Sequence, residues 1–418
     1  MELLKEYNPY LEYKNGELHL EGVSLKALVE EFGTPLYVYS ASYIKDRFNA
    51  YKEAFPEALI CYALKANFNP HIARLLGELG AGADIVSGGE LYLALKAGIP
   101  ANKIVYAGVG KTERELREAI EADILMFNVE SRQELEVLNE LGKRYGKKVR
   151  IAIRVNPDVD PKTHPYIATG MRKSKFGIDI REAEKEYEYA SCLENLEVIG
   201  IHCHIGSQIL DVSPYKEAVE KVVSLYERLT EKGINIQYLD IGGGLGIKYK
   251  PEDKEPTPKE LAKLLEPILS KVKAKLILEP GRSITGNAGL LLTQVQFLKD
   301  KGDKHFIIVD AGMNDLIRPA IYGAYHHILP VKDEGRQLIK ADIVGPICET
   351  GDFLALDREI QRVERGEYLA VLSAGAYCFA MSSHYNARPR AAEVLVDKGE
   401  VKLIRKREDY GYIFAPSF

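Results

Sequence analysis

The chain has 418 residues, 46% hydrophobic and 28% charged, too long for one ordinary core and normal for a soluble globular protein of two domains. Its 56 Lys and Arg against 61 Asp and Glu leave a formal net charge of −5, so neither nucleic acid nor an anionic membrane is expected as a partner. Cys61, Cys192, Cys203, Cys348 and Cys378 form no CxxC pair and no zinc spacing, so no metal site is expected and a reducing compartment is. The start, "MELLKEYNPY", has no apolar core of a secretion signal, and no apolar run approaches the roughly 20 residues of a membrane helix. The expected location is the cytoplasm.

In chain order, "LEYKNGELHLEG" predicts a hairpin turning at Asn15-Gly16. "SASYIKDRFNAYKEAF" predicts a helix. Then short β-type runs alternate with helical patterns. "ALICYAL" precedes "PHIARLLGELG", "GADIV" precedes "GGELYLALKAG", and "KIVYAG" precedes "TERELREAIEA". "DILMFN" precedes "SRQELEVLNELGKRYG", and "VRIAIRVNP" leads through a long loop to "REAEKEYEYASCLE". "LEVIGIHCHIG", "IQYLDIGGG" and "AKLILEPG" complete eight strands with seven intervening helices. That count predicts an α/β fold, a (β/α)₈ TIM-type barrel, over a doubly wound sheet. Thr112 with Glu115, and Ser131 with Glu134, have capping-box spacing at two helix starts. Beyond about residue 282 the sequence turns β-rich, with Gly turns and few helical periods. The expected domains are a barrel over 36–284 and a mainly β domain formed by 1–35 and 285–418.

Active sites of such barrels lie at the C-terminal strand ends. Lys65, Asp84, Tyr106, Arg154, Asn156, His202, His204, Gly242 to Gly244 and Glu279 fall there. Several of these carry a plain structural reading as well. Lys65, at the mouth of the apolar strand "LICYAL", is a snorkelling surface residue or a reagent. "DIGGGLG" is a tight loop or an anion cradle; it departs from a dinucleotide fingerprint at Ile247. "VYAGVGKT" ends like a nucleotide-binding P-loop, but Val105 replaces its first glycine, which excludes that reading. His202 and His204 share a strand face, as a ligand pair or a structural pair. Glu279 and Arg282 of "EPGR" alone read as a solvated loop pair. Together, a lysine for a Schiff base, a phosphate loop, a carboxylate for a pyridine nitrogen and a histidine for the ring face are the parts needed to use pyridoxal 5′-phosphate.

At these residues the sequence resembles the fold-type III pyridoxal-phosphate decarboxylases, and among them the group acting on diaminopimelate. "YALKAN", "HCHIGSQ", "DIGGGLG", "EPGR", "GMNDLIRPAIYGAYH", "GPICETGD" and "AGAY" occur in the family's order over nearly the whole chain. The resemblance implies an alanine-racemase-like barrel with a β domain. It implies decarboxylation of meso-2,6-diaminopimelate, at its D-configured centre, to L-lysine and CO₂, the last step of lysine biosynthesis. It assigns Lys65 to the Schiff base, His204 to the pyridine face and Glu279 to the ring nitrogen. Ser207, Gly243, Gly244, Gly281 and Arg282 fall to the phosphate region, with Tyr377 near phosphate and substrate. Asp84 and Arg154 are implied as barrel-mouth residues holding Lys65 and ring groups. Arg282, Arg318 and Tyr322 are implied for the substrate carboxylate, Glu349 for its ammonium, and Cys348 as the acid that protonates the product carbanion. The family also implies a homodimer in which Cys348 and Glu349 reach the site from the partner subunit. Two arginines suit a distal carboxylate, which ornithine and arginine lack. Decarboxylases of carboxynorspermidine, ornithine or arginine remain the rivals, with a non-catalytic cofactor carrier and a metal-dependent barrel hydrolase further off. The apolar strand before Lys65 predicts an amine desolvated toward its neutral, nucleophilic form.

Overall fold

The structure, a computed structural model, describes residues 2–171 and 173–418. Eight parallel strands form the barrel: β1 (Leu59–Ala63), β2 (Gly82–Ile85), β3 (Ile104–Tyr106), β4 (Met126–Val129), β5 (Val149–Asn156), β6 (Leu196–His202), β7 (Tyr238–Asp240) and β8 (Lys275–Leu278). Pairing runs from each strand to the next, and Ile277 opposite Leu59 closes the ring. Seven helices alternate with them: α1 (Pro70–Glu78), α2 (Gly88–Lys96), α3 (Glu113–Ala122), α4 (Arg132–Tyr145), α5 (Ile180–Ser191), α6 (Ser213–Glu231) and α7 (Pro258–Leu269). Cys61, Val105, Met126, Ala152, Ile199 and Ile277 fill the interior between strands, so the barrel is a packed core.

Helix starts follow local chemistry. Thr112 and Glu115 make the reciprocal capping box at α3. Ser131 caps α4 through the Glu134 N–H. The Glu134 side chain, however, takes Lys111 Nζ at 2.5 Å and the Glu130 N–H at 2.9 Å. Lys111 also donates to the carbonyls of Gly108 and Asn128, both at 2.9 Å. The lysine of the P-loop look-alike is thus a buried strut.

The chain separates into two compact units, Phe48–Gly246 with Glu255–Ser283, and Met1–Arg47 with Ile247–Lys254 and Ile284–Phe418. The expected boundary at residue 36 differs from this division: Leu36–Ser40 is a strand of the second unit, between Gly289–Lys301 and Ala392–Asp397. Its five residues are all buried, Leu36 and Val38 in an apolar core with Leu290, Leu292 and Val394. The N-terminal hairpin pairs Leu11–Lys14 with Glu17–Leu20, and Asn15 and Gly16 at φ 53° and 77° make its turn. Among the described residues no helix is long and apolar enough to cross a membrane.

Candidate active site

Lys65 follows β1 in a single helical turn, Leu64–Ala66. The Ala63 N–H donates to the Pro280 carbonyl at 3.0 Å, tying this turn to the "EPGR" segment. Gly281 permits the approach, since a Cβ there would lie 3.0 Å from the Cβ atoms of Ala63 and Ala66. Lys65 Nζ forms an ion pair with Asp84 Oδ2 at the end of β2. The amine is therefore not a bare desolvated group, as the apolar strand predicted, because β2 supplies a fully buried carboxylate beside it. Burial, then repulsion from Glu279, pushes the Asp84 carboxyl up to about 6 against the opposing pull of Lys65.

Glu279, just past β8, is buried with His202 and Asp240. His202 and Asp240 face each other in the β6–β7 register, which brings both within reach of Glu279. His202 Nε2 lies 3.2 Å from Glu279 Oε2, and Asn128 Nδ2 lies 3.5 Å from Oε1. One ligating atom from each of His202, Asp240 and Glu279 lies within 4.8 Å of the others. Asp240 Oδ2 is buried with no hydrogen-bond partner, and two carboxylates this close are stable together only when one holds a proton. Burial, then the Glu279 charge, pushes the Asp240 carboxyl well up. Burial opposes ionisation of Glu279 too, but His202 and Lys65 hold it well below the usual carboxylate range. Asp240 therefore keeps the proton and Glu279 the charge.

His204 does not share this cluster, so the two histidines are not a ligand pair. Its Nδ1 accepts the Gly243 N–H at 3.3 Å, and burial followed by the charges of Arg154 and Lys65 keeps the ring neutral. The glycine loop lies against it. A Cβ at Gly242 would sit 2.7 Å from His204 Nδ1, and one at Gly243 only 2.1 Å from the Glu279 carbonyl oxygen. Gly242 and Gly244 also hold φ of 71° and 111°, which favour glycine. Beside this loop, Arg282 donates from Nε and Nη2 to Ser207 Oγ at 3.2 and 3.0 Å. A hydroxyl, a guanidinium and an unobstructed glycine backbone fit a phosphate. A charged carboxylate, a neutral imidazole and an amine fit a protonated pyridine ring bearing an aldehyde.

Arg154 at the end of β5 is 6% exposed. Its Nη1 lies 3.0 Å from Glu130 Oε1, and its guanidinium sits 4.6 Å from the Phe176 ring centroid. Asn156 donates to the carbonyls of Met171 and Phe176 at 2.9 and 3.2 Å, and Thr169 Oγ1 to that of His204 at 2.9 Å. The 165–178 loop is thus tied to the strand ends. Its Arg172 lies outside the described residues.

The remaining expected residues belong to the second unit. Arg318 is buried, its guanidinium 4.3 Å from the Tyr249 ring centroid. Tyr322 closes the same short helix, Arg318–Tyr322. Cys348 and Glu349 are exposed on the chain. Their loop is pinned on both sides: the Cys348 N–H donates to Asn386 Oδ1 at 2.8 Å, and buried Asp352 takes the N–H groups of Ile347 and Met313, both at 2.6 Å. Tyr377 holds φ 57°, a strained value for a non-glycine residue and common at functional positions. Sequence reasoning missed Asp240 and Asn128, and left the partner of His202 open. The one signal for Asp240 was a carboxylate ending the apolar strand "QYLD".

Residues 41–286 match the family described as pyridoxal-dependent decarboxylase, pyridoxal binding domain. Over 417 residues the chain is 79% identical to the diaminopimelate decarboxylase of Aquifex aeolicus, covering 100% of this chain and 99% of that protein. It is 50% identical over 393 residues to the diaminopimelate decarboxylase of Neisseria meningitidis serogroup A, with 94% and 96% covered. The crystal structure of diaminopimelate decarboxylase from Helicobacter pylori complexed with L-lysine superimposes with a TM-score of 0.91 at 41% identity, with 94% of this chain and 98% of that chain covered. That of M. jannaschii gives 0.94 at 44% identity, with 99% and 98% covered. A closed barrel ending in this amine, carboxylate and glycine-loop set, in a chain so similar to these proteins, places it in one family: the chain belongs to the pyridoxal-dependent decarboxylases, on the diaminopimelate decarboxylase branch.

Proposed function

We propose that the chain decarboxylates meso-2,6-diaminopimelate to L-lysine and CO₂ with pyridoxal 5′-phosphate as cofactor. The observation that carries this is the buried Glu279, 3.2 Å from His202 and beside Asp240, at the same strand ends as Lys65 and the glycine loop. When bound, the cofactor supplies an aldehyde for the substrate amine and a ring that accepts the electron pair left by departing CO₂. Lys65 would supply the amine that holds the cofactor. Glu279 keeps a proton on the pyridine nitrogen. An arginine there would hold that nitrogen unprotonated, as in alanine racemases, so Glu279 favours decarboxylation. His204, being neutral, offers a flat face without adding charge. Ser207, Gly243, Gly244, Gly281 and Arg282 bind the phosphate, with Tyr377 beside it, and Asp84 and Arg154 order the mouth.

The substrate carries an amino-acid head at each end, and only one reacts. Arg282, Arg318 and Tyr322 bind the carboxylate of the far head, and Glu349 binds its ammonium. The Cys348 thiol delivers the proton to the substrate Cα. The working unit is a cytoplasmic homodimer in which Cys348 and Glu349 serve the partner's site. Their exposure on the single chain leaves them available to a second copy, and five free cysteines suit a reducing compartment.

Assays with meso-diaminopimelate, ornithine, arginine and carboxynorspermidine test the substrate. Turnover of ornithine but not diaminopimelate would overturn it. Mixing inactive Lys65→Ala protomers with inactive Cys348→Ala protomers tests the shared site. Activity returns if one intact site can form, and its absence sinks the dimer arrangement.

A further inference from the structure

Arg318 is held by one residue that the sequence reading left aside. His326 is fully buried, and both of its ring nitrogens are engaged. Nδ1 lies 2.8 Å from the carbonyl oxygen of Leu372. A carbonyl only accepts, so Nδ1 carries the hydrogen. Nε2 lies 2.8 Å from Nη1 of Arg318, and a guanidinium only donates. A protonated imidazole would turn a donor toward a donor. The two contacts together fix one neutral tautomer, with Nε2 as the acceptor for Arg318.

The surroundings stiffen this arrangement. The Tyr249 ring lies edge-on to His326 at 5.4 Å and beneath the Arg318 guanidinium at 4.3 Å. Tyr249 is itself anchored through its carbonyl by the Tyr7 hydroxyl at 2.9 Å. Arg358 Nη1 donates to the His326 carbonyl at 2.6 Å. Arg318 is thus gripped at Nη1 and across one face of its plane. Its Nε is buried with no hydrogen-bond partner. A buried donor left open is costly unless something fills it. Nε and Nη2 form the side edge of the guanidinium, the edge that takes a carboxylate with two parallel bonds.

We propose that His326 is a positioning residue for substrate selection: by accepting from Nη1 in its neutral form, it aims the Nε–Nη2 edge of Arg318 at the carboxylate of the non-reacting head. This rests on the reading of Arg318 as a substrate-carboxylate residue and specifies how it works. A diamine precursor with no second carboxylate leaves that edge unpaired, so the same device discriminates against ornithine.

The test uses the holoenzyme and three substitutions that separate shape from hydrogen bonding. His326→Gln keeps an acceptor near the Nε2 position; His326→Asn can still meet Leu372 but cannot reach Arg318; His326→Phe keeps the ring alone. The readouts are KM and kcat for meso-diaminopimelate and inhibition by L-lysine, with thermal unfolding and cofactor absorbance as checks of folding. His326→Asn and His326→Phe are expected to raise KM and the L-lysine inhibition constant about tenfold or more, with a smaller change in kcat, as expected for a charge-assisted bond made in both ground and transition states. His326→Gln is expected to stay within about threefold of the unchanged protein, a difference under one kcal/mol. Unchanged KM and inhibition in the Asn and Phe variants would overturn the proposal, as would a Gln variant no better than Phe. Arg318→Lys separates the two layers. If it leaves KM and inhibition unchanged, the assignment of Arg318 to substrate fails; if it raises both while the His326 variants do not, only the role of His326 fails.

Discussion

The proton on Asp240 can be located by replacing the residue with its neutral isostere. In Asp240→Asn, the side-chain oxygen still accepts the Gly242 N–H, a bond of 2.8 Å in the unchanged protein. The new amide donates to Glu279 where the acid proton did. If Asp240 is protonated in the native state, the substitution changes neither charge nor hydrogen bonding there. The consequence is a specific pH dependence. The folded pKa of Asp240 is raised far above the unfolded value, so between the two the native state holds one more proton than the unfolded chain. The stability this proton contributes is fully present below the unfolded pKa and is lost as pH rises toward the folded one. The loss is about 1.4 kcal/mol per pH unit. Asparagine has no proton to lose, so the variant gains on the unchanged protein as pH rises above the unfolded pKa, by at most about 1.4 kcal/mol per pH unit. Denaturant unfolding of both proteins at several pH values in this window measures the difference directly. A variant destabilised equally at every pH, or increasingly as pH rises, refutes the reasoning, because it would place an ionised Asp240 beside Glu279.

Three further outcomes are expected. Lys65→Ala abolishes turnover and the visible absorbance of the lysine-bound cofactor, and it pushes the Asp84 carboxyl above about 6 by removing its cation; residual turnover at the unchanged rate would exclude Lys65 from the chemistry. Gly243→Ala drives a Cβ to 2.1 Å from the Glu279 carbonyl oxygen, so the loop must move, with a loss of about 1–3 kcal/mol in stability and a weaker cofactor dissociation constant by equilibrium titration. Glu134→Gln leaves the Lys111 ammonium, 1% exposed, without its counter-charge, and thermal unfolding is expected to show a loss of about 3–5 kcal/mol.

The strands of the barrel were legible because each is a short apolar run between a turn and an amphipathic helix, and the hairpin because Asn-Gly at φ > 0 has few other uses. The Leu36–Ser40 strand was misplaced because an apolar run before the first barrel helix reads the same in either sheet. At the site, residue identities were legible at strand ends but their pairings were not. His202 meets Glu279 and Asp240 only through the register of three adjacent strands, which no one strand encodes. The Arg318–His326 contact likewise depends on a short helix and a left-handed Gly323 bringing residues eight apart back together. The second half of the Ser131 capping box failed for the same reason: Lys111, twenty residues upstream, competes for the Glu134 carboxylate and wins.

The ion pair at the barrel mouth should weaken the fold. Asp84 is completely buried, while Lys65 is about one-third exposed, so the carboxylate has lost its hydration and the lysine screens it from one side only. Glu279 adds a second negative charge nearby, which is why the Asp84 carboxyl rises to about 6 despite its cation. Burying such a pair costs more solvation than attraction returns unless every remaining lone pair is satisfied, and Asp84 Oδ1 has no hydrogen-bond partner. Removing Lys65 alone, as Lys65→Met, strands the carboxylate and is expected to destabilise. Removing both, as Lys65→Met with Asp84→Leu, replaces the pair by apolar side chains of similar length and is expected to be more stable than Lys65→Met by about 1–4 kcal/mol. Unfolding of both variants without added cofactor makes the comparison. A double variant less stable than the Lys65→Met single would mean that Asp84 is held for packing, whereas the expected order means that the pair is retained for the chemistry of its amine.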